Sequence, residues 1–259
     1  SNIRIRKKSK LMRLNSPQIN LITKACMKAS RSLIRDFGEI ENLQVSKKGP
    51  SDFVTNSDLK AEKIIIDDLK KARPNYSILS EEIGSENNKD DKNVWIIDPI
   101  DGTLNFLHGI PHFAISIALK SNNEIVSGLI FDPIKNEIFY AEKNSGAYFN
   151  NHRVRVSSKI NLEECLFSSN SDGVKYATPH LNMRNTGCAA LDLAYVGAGR
   201  LDGFFYNKIN IWDIAAGILI IEEAGGKVNY ISQSGDETIN IRASNSNIYQ
   251  KMLEKIKNF

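Results

Sequence analysis

Two carboxylates lie three residues apart at the end of an apolar segment, Trp95-Ile96-Ile97-Asp98-Pro99-Ile100-Asp101. We expect a buried strand that carries Asp98 to its carboxyl end, and a turn, stiffened by Pro99, that returns Asp101 to the same place. Carboxylates so close raise each other's pKa unless a cation lies between them. Such oxygen ligands suit Mg²⁺, which keeps coordination positions open for phosphate. The spacing therefore indicates a metal site built for phosphate chemistry.

The next residues, Gly102-Thr103-Leu104-Asn105, have the composition of a turn or a helix start. Free backbone N–H groups at such a place bind anions. We therefore expect a phosphate to bind beside the two carboxylates. Taken alone, an Asp-Pro-x-Asp-Gly segment is equally common as a plain surface turn after a strand, and that alternative stays open for this segment by itself.

Three further segments place an acidic residue at the end of a predicted element. Glu81 follows the apolar run Ile78-Leu79-Ser80, Asp58 is predicted at the start of an amphipathic helix, and Asp213 at the start of a long apolar helix. Functional sites are commonly assembled from such element ends. Asp is also a good helix N-cap, which would explain any one of these acids but not all of them together.

With these motifs, the chain resembles the inositol monophosphatase family of Mg²⁺-dependent, lithium-sensitive phosphatases. The matching segments occur in the family's order and cover most of the chain. The most specific are Asp-Pro-Ile-Asp-Gly-Thr, beginning at Asp98, and Trp-Asp-Ile-Ala-Ala-Gly, beginning at Trp212. The others are Asp52 to Asp58, Leu79 to Glu82, Gly197 to Gly203 and Glu222 to Gly226.

The resemblance implies a site for two or three Mg²⁺ ions. Glu81, Asp98 and the backbone carbonyl of Ile100 would hold the first ion. Asp98, Asp101 and Asp213 would hold the second, with Asp98 bridging the two. Such paired ions would clamp the attacking and leaving oxygens of an in-line displacement.

The same resemblance implies the catalytic and phosphate-binding residues. Asp58 would accept a hydrogen bond from the Thr103 hydroxyl, and this pair would position and activate the attacking water. Glu81 would also be catalytic. The backbone N–H groups of Gly102 and Thr103 would bind the phosphate. The protein would contribute positioning and charge neutralisation more than covalent chemistry.

The alcohol part of the substrate would, by the resemblance, lie near Arg184, Cys188, Ala189 and Asp192. One position departs from the family pattern. Members that prefer inositol phosphates usually carry a Glu seven residues before the acid of the Trp-Asp pair, and here that residue is Tyr206. A phenol lacks the paired acceptors of a carboxylate. Since sites built on hydroxyl hydrogen bonds discriminate strongly, this departure leaves the preference for inositol open.

We therefore expect a phosphoric monoester hydrolase that acts on a small alcohol phosphate, foremost myo-inositol monophosphate, through metal-activated water. The same chemistry on fructose-1,6-bisphosphate, 3′-phosphoadenosine 5′-phosphate or histidinol phosphate is an alternative. Aspartyl-nucleophile phosphatases are disfavoured because their acids are two residues apart, whereas Asp98 and Asp101 are three apart. A non-catalytic role in binding transcription machinery, known for bacterial relatives, also stays open.

The elements that must position these residues alternate between helices and strands. Ser16-Pro17 predicts the start of a helix that ends near Gly38. A second helix is predicted from about Ser57 to Ala72, and Pro74 stops it. Its predicted inward residues are Leu59, Ile64, Ile65 and Leu69.

The middle of the chain, from Phe113 to Phe149, has the pattern of an antiparallel meander, with turns at Asn122-Asn123 and Asp132-Pro133. Further helices are predicted near residues 189–198, 213–224 and 247–257. The fold class is thus mixed α/β, and the resemblance implies the layered αβαβα sandwich of the sugar phosphatases.

Composition predicts the organisation of the chain. Its 259 residues, 41% of them hydrophobic, can bury a substantial core. Near residue 150 a strand-rich pattern gives way to alternating helices and strands, which predicts two lobes. Residues 16–150 would carry most metal ligands, and residues 151–259 would carry Asp213 and the substrate contacts. Residues 1–15 are predicted to form a solvated basic tail, and the modest net charge of +4 gives no reason to expect a nucleic-acid partner.

Cysteine usage and apolar runs bear on the compartment. The three cysteines, Cys26, Cys165 and Cys188, are odd in number and lack metal-ligand spacing, which predicts reduced thiols. Neither a signal-peptide pattern nor an apolar run long enough to span a bilayer is found. We therefore expect a cytoplasmic protein without a membrane partner, and the resemblance implies a homodimer.

Overall fold

The computed structural model describes residues 15–40, 50–170, 181–232 and 238–256, and for residues 50–55 it describes the backbone only. The regular structure of these residues consists of two mixed β-sheets, six α-helices and a short 3-10 helix at Leu162–Glu164. The helices are α1 (Pro17–Gly38), α2 (Pro50–Ala72), α3 (Thr103–Leu107), α4 (Ala189–Gly197), α5 (Ile211–Glu223) and α6 (Tyr249–Lys255).

The first sheet has eight strands in the order β2-β1-β3-β4-β5-β6-β7-β8. They are β1 (Tyr76–Ser80), β2 (Gly84–Glu86), β3 (Asp90–Asp101), β4 (Ala114–Ser121), β5 (Glu124–Asp132), β6 (Glu137–Glu142), β7 (Gly146–Phe149) and β8 (His152–Val154). All neighbours in this sheet pair antiparallel except β1 and β3, which run parallel.

The second sheet has five strands in the order β10-β9-β11-β13-β12. They are β9 (Leu166–Ser168), β10 (Asn182–Arg184), β11 (Gly203–Ile209), β12 (Lys227–Ser232) and β13 (Ile239–Ser244). Strand β9 is parallel to both of its neighbours, β10 and β11, so these three carboxyl ends lie at the same edge of the sheet.

Buried side chains divide the described chain into five layers. Helices α1 and α2 cover one face of the eight-stranded sheet, and α4 and α5 cover the other. The opposite side of α4 and α5 packs on the five-stranded sheet, whose outer face is covered by α6. The middle layer is tight because Gly217 lies where a Cβ would come within 2.5 Å of the Leu193 Cβ. The predicted αβαβα sandwich is thereby confirmed.

The first predicted helix is confirmed at both ends, since α1 runs from Pro17 to Gly38. The Ser16 side chain accepts a hydrogen bond from the N–H of Ile19 at 3.1 Å, as expected of an N-cap. The predicted stop of the second helix before Pro74 is also correct.

The start of the second helix was predicted wrongly, because α2 begins at Pro50 instead of Ser57. Proline is well suited to the first helical position, and no helix breaker follows it. Asp58 consequently lies inside the helix. The predicted inward position of Leu59 is wrong too: its side chain is 42% exposed. The buried stripe instead consists of Asp58, Ala61, Glu62, Ile65, Ile66 and Leu69, which includes two acids that a hydrophobicity pattern does not count.

The predicted meander is confirmed as β4 to β7, with antiparallel pairing throughout. Asn122 and Asn123 both adopt positive φ, 49° and 66°, as a tight hairpin turn requires. At the other predicted turn, the Asp132 carboxylate accepts hydrogen bonds from the N–H groups of Ile134 and Lys135.

The predicted division into lobes at residue 150 stays a prediction, and the basic segment 1–14 lies outside the described residues. Cys26, Cys165 and Cys188 are buried and unpaired, which agrees with the predicted free thiols. None of the described helices has the length and apolar composition that a membrane crossing demands.

Candidate active site

The parallel pairing of β1 with β3 brings the first two acids together. Ser80 at the end of β1 is in register with Ile97 of β3, and the N–H of Glu81 donates to the carbonyl of Ile97 at 3.2 Å. Since parallel strands end at the same edge of a sheet, Glu81 and Asp98 emerge side by side.

Asp98 and Asp101 converge through a bulge. We predicted a turn after Asp98, but β3 continues to Asp101, and its register against β4 shifts between the two acids. Pro99 has no N–H for the ladder, so a bulge accommodates it at this point. The N–H of Ile100 donates to Asp98 Oδ1 at 3.0 Å and fixes the orientation of that carboxylate.

Asp213 is contributed by the middle helical layer. Asp213 lies in the first turn of α5, where the N–H of Asn210 donates to its Oδ2 at 3.2 Å. Carboxylate oxygens of Asp98, Asp101 and Asp213 all lie within 4.8 Å of one another. Two segments that are distant in the chain, β3 and α5, thus form one cluster.

Burial makes this cluster electrostatically unfavourable by itself. Burial raises the pKa of Asp98 well above its usual value, and the charges of Asp101, Glu81 and Asp213 raise it further. Burial and then the charge of Asp213 likewise raise the pKa of Asp101, and burial raises that of Asp213. Asp98 Oδ2 is buried without a hydrogen-bond partner. These buried carboxylate oxygens therefore suit a hard cation, which prefers oxygen ligands.

Glu81 borders the cluster, and Asp58 in turn lies close to Glu81. Partial burial and then the charge of Asp213 raise the pKa of Glu81 to about 7. Asp58, which is 3% exposed, has its pKa raised to about 8 by burial and then by Glu82, Glu81 and Glu62. Asp58 Oδ1 also has no hydrogen-bond partner, so this carboxylate is available to a proton or a water molecule.

The predicted anion site at Gly102 and Thr103 coincides with the start of the short helix α3. Gly102 has φ of 92°, and a Cβ there would approach the His112 carbonyl oxygen to 3.0 Å. The first N–H groups of a helix have no acceptor within it and remain available to an anion. The Thr103 hydroxyl donates to the Ile100 carbonyl at 2.8 Å instead of to Asp58 as predicted, because that carbonyl lies within reach three residues earlier.

The predicted substrate contacts differ in their exposure to solvent. Arg184 is exposed at the end of β10, whereas Cys188 and Ala189 are buried at the start of α4. The Sγ of Cys188 donates to Asp101 Oδ2 at 3.2 Å. Tyr206 is 5% exposed, stacks on Phe204 and donates its hydroxyl to Asp192 Oδ2 at 2.9 Å. Asp192 itself is completely buried.

Three residues that our sequence reasoning missed connect the site to its support. Ser168 and Thr186 donate their hydroxyls to Asp192, and Asn105 donates its side-chain N–H groups to the carbonyls of His112 and Thr186. Asn105 lies two residues after Thr103 of the Gly-Thr motif, which is a usable sequence signal. Ser168 and Thr186 have none, because their roles depend on how the strands are arranged in space.

Comparison with known proteins agrees with this geometry. A model of the "Inositol monophosphatase family" matches residues 15–258. The chain is 44% identical over 264 residues to "Inositol-1-monophosphatase" from Mesorhizobium japonicum, which covers 93% of this chain and 97% of that one. It is 37% identical over 256 residues to "Nus factor SuhB" from Escherichia coli K12, covering 93% and 96% respectively.

A solved structure shares the fold. The extragenic suppressor protein suhB of Bartonella henselae superposes with a TM-score of 0.83 at 43% identity. The match covers 94% of this chain and 99% of that one.

Proposed function

The chain belongs to the inositol monophosphatase family, and we propose that it hydrolyses the phosphate ester of a small polyol, foremost myo-inositol monophosphate, with Mg²⁺ as cofactor. Its membership makes it a phosphoric monoester hydrolase. The observation that best supports the proposal is the convergence of Asp98, Asp101 and Asp213 within 4.8 Å, beside the N-terminus of α3.

The cation would be held by Asp98, Asp101 and Asp213, with Glu81 and the Ile100 carbonyl completing a second position. The orphaned Asp98 Oδ2 and the mutual repulsion of these acids support this assignment. When bound, magnesium neutralises phosphate charge and lowers the pKa of water at the site.

Residues of the chain would then position the phosphate and the attacking water. The N–H groups of Gly102 and Thr103 would bind phosphate oxygens. Asp58, whose Oδ1 is unpartnered and whose pKa is raised to about 8, would accept a proton from the attacking water, with Thr103 and Glu81 helping to position that water. Helices α2 and α3, which carry Asp58 and Thr103, pack against each other, and this supports a role for both residues at one water. Arg184, Cys188, Ala189 and Tyr206 are the proposed contacts for the alcohol.

A phosphate-release screen tests the proposal. Small phosphomonoesters, including inositol, glycerol and histidinol phosphates, fructose-1,6-bisphosphate and 3′-phosphoadenosine 5′-phosphate, are assayed with Mg²⁺ and with a chelator. We expect release that requires Mg²⁺ and is fastest for inositol phosphate. Release that persists undiminished in the chelator would refute the magnesium assignment, and a faster alternative substrate would replace inositol phosphate.

The finer expectations rest on the family resemblance. Lithium should inhibit at millimolar concentration, and complete insensitivity would argue against the proposed metal arrangement. We also propose a homodimer, and, from the free buried cysteines, a cytoplasmic location.

Participation in transcription is a second candidate, because the relative at 37% identity carries the name Nus factor. A binding role alone would not need the buried acids of the cluster. Their convergence therefore favours hydrolysis as the primary activity.

A further inference from the structure

Asp192 is a completely buried carboxylate to which three hydroxyl groups donate hydrogen bonds. Thr186 Oγ1 donates to Oδ1 at 2.8 Å, and Tyr206 donates to Oδ2 at 2.9 Å. Ser168 also donates to Oδ2. These donors come from β9, β11 and the loop before α4, so the carboxylate joins three separate segments. Because both carboxylate oxygens accept hydrogen bonds and the residue is completely buried, Asp192 is placed to support the site instead of contacting substrate.

Thr186 carries the connection from Asp192 toward the metal ligands. Its hydroxyl oxygen accepts the N–H of Cys188 at 3.3 Å while the hydroxyl hydrogen is donated to Asp192. The carbonyl of Thr186 accepts from Asn105 Nδ2 at 2.9 Å, and the same amide nitrogen donates to the His112 carbonyl at 2.8 Å. The loop before α4 is thus fixed on one side by Asp192 and on the other by α3.

The first residues of α4 in turn hold Asp101. The N–H of Ala190 and the Sγ of Cys188 both donate to Asp101 Oδ2, at 2.5 and 3.2 Å. A displacement of the loop before α4 would move both donors together. The orientation of Asp101 therefore depends on a segment whose position is set by Asp192.

We propose that Asp192 is a positioning residue, which through Thr186 and the start of α4 fixes the metal ligand Asp101. This inference rests on the proposed function, because it assumes that Asp101 binds the cation. Residues that orient a ligand from behind typically change metal affinity by about ten- to a hundredfold when they are mutated.

The chain offers a matched control in Asp202, a carboxylate that is 1% exposed. It also accepts three hydrogen bonds, from Ser157, from Lys159 at 2.9 Å and from the N–H of Leu166 at 2.7 Å. Leu166 begins β9, and Ser157 and Lys159 lie in the loop after β8. The described hydrogen bonds to Asp101 come from Cys188 and Ala190 and involve none of these three residues. Replacement of Asp202 therefore measures how much stability is lost when a buried carboxylate away from the metal site is altered.

Titration calorimetry with Mg²⁺ alone tests the proposal on the wild type and on Asp192→Asn, Thr186→Val, Asp202→Asn and Asp101→Asn. We expect Asp192→Asn to raise the Kd for Mg²⁺ by about ten- to a hundredfold. Thr186→Val should raise it in the same direction, and Asp202→Asn should leave it at the wild-type value. An unchanged Kd in both Asp192→Asn and Thr186→Val, while Asp101→Asn loses Mg²⁺, would overturn the inference alone. If the wild type and Asp101→Asn bind Mg²⁺ equally, the proposed metal site itself is wrong.

Unfolding temperatures separate positioning from general stability. A purely structural role predicts that Asp192→Asn and Asp202→Asn both unfold at a lower temperature than the wild type. It also predicts that added Mg²⁺ raises the unfolding temperature of both variants by as much as it raises that of the wild type. Positioning predicts a smaller Mg²⁺-dependent gain for Asp192→Asn only, because that gain follows the Kd of the folded state. Thr186→Val, which keeps the shape of the side chain, gives the same comparison if Asp192→Asn does not fold.

Discussion

Asp101 and Ala190 are 89 residues apart in the chain, yet the N–H of Ala190 donates a 2.5 Å hydrogen bond to Asp101 Oδ2. This contact joins the end of β3 to the start of α4, so a carboxylate of the eight-stranded sheet is oriented by the middle helical layer. The cluster of acids is therefore a property of the layered arrangement and not of any single element.

Asp101→Asn should reduce phosphate release by at least about a hundredfold, because stabilisation of charge by a bound metal is worth several kcal/mol. The amide oxygen can still accept from Ala190, so the fold should survive. Steady-state phosphate release and an unfolding curve in chelator measure the two effects. The metal assignment would be wrong if this variant kept near-normal turnover.

Gly102→Ala should lower the free energy of unfolding by about 1–3 kcal/mol, because a residue with a Cβ is strained at positive φ. The added Cβ would also meet the His112 carbonyl oxygen at 3.0 Å and the Cys188 Cβ at 3.3 Å. Denaturant unfolding measures the loss. Gly84→Ala is the control, since Gly84 has φ of 73° but open space around it. Equal losses in the two variants would show that the close contacts at Gly102 cost nothing.

Stability without divalent cation should fall as the pH rises from about 4, the ordinary range of carboxyl groups, toward 8. The pKa values of Glu81 and Asp58 are raised to about 7 and about 8, so the folded state holds protons that the unfolded state releases earlier. This linkage makes the folded state less stable with rising pH.

Mg²⁺ should reverse that trend, because it binds the deprotonated carboxylates and its affinity rises over the same range. Unfolding temperatures in chelator and in Mg²⁺, recorded across this pH range, should therefore diverge as the pH increases. Parallel curves would mean that the acids titrate independently of any cation.

Tyr206→Glu should raise the kcat/KM ratio of inositol phosphate over glycerol phosphate by about tenfold, the worth of a charge-assisted hydrogen bond to a hydroxyl. The wild-type Tyr206 hydroxyl already donates a hydrogen bond to Asp192 at 2.9 Å, and the side chain offers the substrate no carboxylate. Tyr206→Phe is the matched control, since it removes the hydroxyl without adding an acceptor. A ratio that stays constant in both variants would mean that residue 206 does not contact the alcohol.

The predictions from sequence succeeded where local chemistry is decisive. Ser16-Pro17 marked the start of α1, and the paired asparagines at 122 and 123 marked a hairpin, because an N-cap and a positive φ are requirements of adjacent residues. The start of α2 was missed because Pro50 is compatible with either a loop or a first helical turn.

The sequence by itself predicted Asp98, Asp101, Asp213 and Glu81 as candidate cation ligands, since each stands where an apolar segment begins or ends. Only the tertiary structure decided that Asp58 and Glu62 share the buried stripe of α2, and that Asp192 is completely buried with Thr186 and Tyr206 as donors. Local propensities act over a few residues. Contacts across strands and layers depend instead on register and packing, which the whole chain sets together.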